Sequence, residues 1–146
     1  MISKNEFYLE PIFKSSIPKL ESFKGKPLLV LFFYLGCPGC KGRAIPFANK
    51  LVYEKTPINL IGIHSRFEGK EYSNEELKAA KDEFYIRFPY YSDKNNNDTF
   101  REFETGGTPH WILFNKEGEV VQSIFGSDPN KALLRIDLKI KELLEI

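Results

Sequence analysis

Leu28–Leu35 is a run of eight residues without a charge. It is too short for an independent helix, which predicts a strand buried on both faces. Ahead of it, Pro11 and Pro18 break the lead-in before Gly25-Lys26-Pro27, so no long element is expected there. Gly39–Glu54 carries Ile45, Phe47, Leu51 and Val52 and predicts a helix, kinked at Pro46 because proline removes a hydrogen bond and clashes with the preceding turn. Ile58–His64 predicts a second strand. Ser73–Phe88 predicts a second helix, opening with the capping-box pattern Ser73-Asn74-Glu75-Glu76 and placing Leu77, Ala80, Phe84 and Phe88 on one face.

After a polar loop at Ser92–Asp98 and a short helix near Thr99–Glu104, Trp111–Phe114 and Val120–Phe125 predict two strands. They flank Asn115-Lys116-Glu117-Gly118, a hairpin signal with its glycine near the left-handed position. Asp128-Pro129 predicts the start of a last helix with Leu133, Leu134, Leu138 and Leu144 at helical spacing. Alternating strand and helix without repeat, linker or low-complexity segment argues for one α/β layered domain over residues 1–146, with its core at about 26–145 and an irregular lead-in at 1–25.

Composition adds exclusions. Apolar residues make up 42% of the chain and aromatics 14%, enough for a packed core. Net charge is +1, from 21 basic and 20 acidic residues without a block of like charge, so no nucleic-acid or anionic-membrane partner is implied. No stretch approaches the roughly 18 apolar residues of a membrane span, and Met1–Glu6 lacks the apolar core of a signal peptide. The expected compartment is cytoplasmic; a periplasmic origin with its signal removed would leave the same sequence.

The candidate chemistry lies at Cys37-Pro38-Gly39-Cys40, which holds the only two cysteines of the chain. The two intervening residues let both sulfurs sit within bonding reach at the first turn of a helix. There unpaired N–H groups and the macrodipole, with Lys41 and Arg43 nearby, favour a thiolate. A thiolate so placed attacks a disulfide, and the second thiol resolves the mixed disulfide.

With these residues the chain resembles the thioredoxin superfamily, in its redoxin and TlpA-like branch. The resemblance rests on the strand-C-x-x-C-helix unit from Leu28 to Pro46, on Leu60-Ile61-Gly62-Ile63-His64, on Gly107-Thr108-Pro109, and on Trp111 to Val120, and it covers about residues 26 to 145. It implies a thioredoxin-like fold: a central mixed sheet flanked by helices, with a helical insertion after the second core strand. It implies a thiol-disulfide oxidoreductase acting on protein disulfides, with Cys37 as the attacking thiolate and Cys40 as the resolving thiol. Pro109 would be a cis-proline, turning the backbone of Thr108 toward an extended substrate, and Gly36, Pro38 and Gly39 would shape the site. No organic cofactor is implied beyond the redox-active disulfide. The partners would be protein disulfides and an electron donor of unknown identity, and a reducing compartment favours the reductase direction.

The chain departs from the family pattern at three places. Gly36 stands where Trp often precedes the first cysteine, Leu31 stands where thioredoxins carry a buried acid, and Pro46 lies six residues after Cys40 where five is commoner. Without that acid, His110 or His64 is a candidate proton relay for Cys40; the simpler reading of His64, at the end of an apolar strand, is a hydrogen-bonded boundary histidine. Two other readings compete. Cys37, Cys40, His64 and His110 are the best zinc or copper ligands this chain offers, but gaps of 24 and 46 residues match no compact zinc module, so no metal is assigned. Peroxidases resemble one another in a proline and a hydroxyl residue ahead of the reactive cysteine; here Val30 stands at the proline position and Tyr34 at the other, so that pattern is absent, and thiol peroxidase activity stays an alternative. Phe32, Phe33 and Tyr34 read as core and site-wall residues, and Arg66-Phe67-Glu68-Gly69 as a candidate for part of the substrate rim.

Overall fold

The computed structural model describes residues 6–145. Its centre is β2 (Leu28–Phe33), all six residues of which are buried. On one side β2 pairs in parallel with β3 (Asn59–His64), and on the other antiparallel with β5 (His110–Phe114). Two shorter strands, β1 (Leu9–Glu10) and β4 (Tyr90–Asp93), extend the β3 side, and β6 (Val120–Phe125) closes the β5 side, giving the order β1-β4-β3-β2-β5-β6.

Period-two alternation sends β2 side chains to both faces. Leu29, Leu31 and Phe33 join one cluster with Ala48 and Leu51 of α1 (Ile45–Tyr53), Leu77 and Ala80 of α2 (Asn74–Glu83), and Ile136 and Ile140 of α4 (Ala132–Leu144). Leu28, Val30 and Phe32 join a second cluster with Phe100 of α3 (Asp98–Glu102) and the adjacent Phe103. The lead-in divides between the clusters: Ile12 is buried in the first, and Phe7, Ile17, Leu20 and Phe23 pack on the second. The result is the mixed sheet between helices that the sequence predicts, with α2 as the insertion after β3.

Four elements differ from their sequence-based expectation. Pro46 produces no kink in a continuous α-helix, because Cys40–Ala44 is a π-helical segment in which the Ile45 N–H reaches back to the Cys40 carbonyl. Pro46 then falls at the start of α1, where a missing N–H costs little. The same wide turn accommodates the extra residue between Cys40 and Pro46.

The second helix keeps its capping box, with Glu76 N–H on Ser73 Oγ and Ser73 N–H on Glu76 Oε1. It stops at Glu83, and Tyr85 adopts φ 54°, so Phe88 is buried from the following connection instead of the helix face. The polar loop at Ser92–Asp98 begins inside β4, which is short and carries a buried aspartate that no hydrophobic pattern signals. The last helix starts at Ala132, after a turn in which the Asp128 carbonyl accepts the Lys131 and Leu133 N–H groups. Its core face is Ala132, Leu133, Ile136 and Ile140, while Leu134 and Leu138 are exposed.

Candidate active site

The strand-to-helix turn after β2 delivers both cysteines. Pro38 and Gly39 are already helical, which makes Cys37 the residue that caps the helix. Proline suits the first helical position because its missing N–H is one of the orphans there. The Cys37 sulfur does what a serine or aspartate oxygen does at such a position: it accepts the Cys40 N–H at 3.3 Å. That N–H points at the atom where negative charge develops when the thiol ionises. Cys37 Sγ also donates to the Thr108 carbonyl at 3.4 Å.

The two cysteines, both free, occupy different environments. Cys37 is half-buried and Cys40 is fully buried. Burial, followed by the hydrogen bond with Cys37, pushes the Cys40 thiol far above its ordinary range. Cys37 therefore meets solvent while Cys40 waits behind it.

The Thr108–Pro109 bond is cis, and this turn lies against the C-x-x-C helix. A Cβ at Gly39 would lie 3.0 Å from Ser127 Oγ and 3.7 Å from Pro109 Cδ, so glycine permits the close approach of the two segments. Gly36 has a comparable reason: a Cβ there would overlap the ring of Tyr34. At the place left without a Trp the Tyr34 ring lies alongside Gly36, and its hydroxyl donates to the Lys70 carbonyl at 2.6 Å.

Beside Thr108 opens a cleft of about 390 Å³ lined by Tyr34, Ser65, Phe67, Glu68, Phe100, Gly106, Gly107 and Thr108. Phe67 and Glu68, singled out in the sequence as candidate rim residues, form one wall.

The two imidazoles bond to groups other than the sulfurs. His64 Nε2 accepts the Leu35 N–H at 3.1 Å, and its ring packs among Phe33, Tyr34 and Tyr72. Burial lowers its imidazole to about 4, so it is a neutral acceptor. His110 Nε2 pairs with Ser123 Oγ at 2.8 Å, its Nδ1 is buried without a partner, and burial lowers this imidazole as well. Among the described residues no hydrogen bond joins either ring to a cysteine, and no three His, Cys, Asp or Glu side chains converge as a metal cluster. The set Cys37, Cys40, His64 and His110 is therefore not assembled.

One polar centre was not read from the sequence. Asp93, 2% exposed, accepts the Thr99 N–H at 2.7 Å, the Phe100 N–H at 2.9 Å and the Ser65 hydroxyl at 2.7 Å. Thr99 Oγ1 in turn donates to the Tyr8 carbonyl and accepts the Tyr8 N–H. Burial raises the Asp93 carboxyl against the pull of these donors. The N–H donors lie six and seven residues beyond Asp93. Both fall in the first turn of α3, which begins at Asp98.

The sheet, the C-x-x-C at its helix start and the opposing Thr108–Pro109 turn define a thioredoxin-like protein. More narrowly, the chain belongs to the Redoxin family, whose model matches residues 18–137. It is similar to the thiol-disulfide oxidoreductase ResA of Geobacillus kaustophilus, 26% identical over 111 residues that cover 75% of this chain and 60% of that protein. The chain thus spans less than two thirds of the length of this curated relative. Among solved structures, a thiol-disulfide isomerase from Corynebacterium glutamicum superposes with a TM-score of 0.84 at 28% identity, covering 97% of this chain and 95% of the other. A further thioredoxin-like superfamily protein gives a TM-score of 0.83 at 26% identity, covering 95% and 94%. Among the described residues no helix is long and apolar enough to cross a membrane.

Proposed function

We propose that this chain is a thiol-disulfide oxidoreductase acting on protein disulfides through Cys37 and Cys40, and that it works as a reductase. The observation that carries the reading is the pairing of a half-buried sulfur, capped by the Cys40 N–H, with a buried second thiol behind it. The similarity to the thiol-disulfide oxidoreductase ResA and to the C. glutamicum thiol-disulfide isomerase supports thiol-disulfide exchange.

In the reaction the Cys37 thiolate attacks one sulfur of the substrate disulfide. A Cys37–substrate bond forms, the substrate S–S bond breaks, and the departing sulfur leaves as a thiolate that takes up a proton. Once Cys37 is in the mixed disulfide, it no longer helps to hold the Cys40 proton, and burial alone opposes ionisation. The Cys40 thiolate then attacks Cys37 Sγ and releases the second substrate thiol. The enzyme dithiol is oxidised by two electrons and the substrate disulfide is reduced by two. An electron donor must restore the dithiol.

Thr108 has a part that changes with the cycle. Its carbonyl accepts from the Cys37 thiol in the reduced protein, and loss of that proton frees it to accept a backbone N–H of an extended substrate. The reductase direction is the one a reducing compartment would impose, since the pair would be kept reduced there; an extracytoplasmic location would weaken that preference. A glutathione redox titration with thiol quantification tests the reading. It is expected to give one reversible two-electron transition toward about −270 mV, whereas a midpoint near −120 mV would reverse the direction. Absence of any reversible transition overturns the reading.

A further inference from the structure

The cleft beside Thr108 is continuous with the thiol site, because Thr108 both lines it and accepts the Cys37 hydrogen bond. Its about 390 Å³ lies within the roughly 300–1,000 Å³ of ligand pockets. Two of its walls are aromatic: Phe67 is 73% exposed and stacks on Phe100 at 6.4 Å with ring planes 28° apart. A lone exposed phenylalanine needs no explanation. This one stands over a concavity that opens next to a reactive sulfur.

The loop that presents Phe67 is fastened at several points. Arg66 N–H donates to the Asn96 carbonyl, and the Arg66 carbonyl accepts from Asn97 Nδ2. Gly69 adopts φ +96°, and a Cβ there would lie 2.7 Å from the Tyr34 hydroxyl. Tyr34 therefore bridges two segments: its ring lies over Gly36, next to Cys37, and its hydroxyl holds the Lys70 carbonyl. Gly106 and Gly107 line the cleft with backbone alone. Its floor is set by Ser65 and Phe100, both held by Asp93.

We propose that this cleft is a substrate side-chain pocket, that Phe67 selects a large apolar residue flanking the cysteine of an incoming protein disulfide, and that Tyr34 is the positioning residue that holds the pocket wall against the Cys37 turn. The proposal rests on the thiol-disulfide reading above. Glu68 on the same wall makes an acidic flanking residue the poorest occupant.

The test uses the reduced protein with a panel of disulfide-linked peptides that differ only in the residues flanking cysteine, Phe, Leu, Gly or Glu, alongside oxidised glutathione. The native protein is expected to reduce the Phe and Leu peptides about 10–100-fold faster in kcat/KM than the Gly peptide, the range set by burying one large apolar side chain, with the Glu peptide slowest. In Phe67→Ala the Phe-to-Gly ratio collapses toward about one. In Tyr34→Phe the ratio falls through a raised KM for the Phe peptide with kcat kept, a split that simple loss of stability does not produce. A native protein indifferent to the flanking residue, or a Phe67→Ala variant that keeps the preference, overturns the proposal while leaving the exchange chemistry standing. Failure to reduce oxidised glutathione and every peptide alike would bring down the exchange reading and this proposal with it.

Discussion

The backbone N–H of Cys40 donates to Cys37 Sγ at 3.3 Å, while the Cys40 thiol has no exposed surface. One residue therefore serves its partner through its main chain and through its side chain at different stages.

Replacing the resolving thiol should leave the attack intact and stop the reaction halfway. Cys40→Ser is expected to accumulate a Cys37–substrate mixed disulfide, detectable as a mass increase that dithiothreitol removes. Cys37→Ser should form no such adduct. An adduct on Cys40 in the Cys37→Ser protein would reverse the assigned roles.

Acid stability should report on His64. Its imidazole is lowered to about 4 in the fold, against an ordinary value of about 6.5. In this window the unfolded chain binds the proton and the native one does not, so stability is full above about 6.5 and falls as pH drops toward 4. The loss attributable to His64 is about 3 kcal/mol. Denaturant melts from pH 7 to pH 4 should show a flatter decline for His64→Gln than for the native protein. Equal slopes would mean that His64 is not buried as a neutral acceptor.

Asp93 holds three donors around the N-terminus of α3 and the floor of the cleft. Asp93→Ala leaves them without a partner, and a cost of about 3 kcal/mol is expected from buried donors left unsatisfied. Asp93→Asn should restore little, because its amide supplies one acceptor oxygen where the carboxylate supplies two. Chemical denaturation measures both, and a change under about 0.5 kcal/mol would contradict the burial described.

Gly36→Ala places a methyl group against the ring of Tyr34. The ring must shift, the Lys70 carbonyl loses its donor, and destabilisation of about 1–3 kcal/mol is expected from overpacking. The double variant Gly36→Ala with Tyr34→Leu should recover part of that loss. No recovery would place the strain elsewhere.

The fold was largely legible because its central strands announce themselves. A charge-free run at β2 and the hairpin around Asn115–Gly118 each carry a local signal that tertiary context reinforces. The cysteines were legible for the same reason, since spacing alone places them on one helical turn. What escaped was non-local. β4 is held by its pairing with β3 and β1 and by the bonds that Asp93 at its end accepts from later residues, and its four residues have no period of their own. In α4, Leu133 of the expected leucine face is buried and Leu144 packs against the core, but Leu134 and Leu138 are exposed, and Ile136 and Ile140 complete the buried face. The approach of the Tyr34 ring to Gly36 lay in three-dimensional proximity that a scan for tryptophan at one position does not see.

The π-helical segment Cys40–Ala44 has a consequence for how this helix tolerates changes of length. A residue added between the second cysteine and the helix proline would rotate everything downstream by about 100° in a regular α-helix. Here the surplus is confined to one wide turn, and Ile45, Ala48 and Leu51 still face the sheet. Removing Gly42, whose Cβ position meets nothing within 4 Å, would therefore unwind the bulge into ordinary helix without re-aiming the core face. A deletion at this point is nearly silent to the sheet, and is felt by the turn that carries the sulfurs.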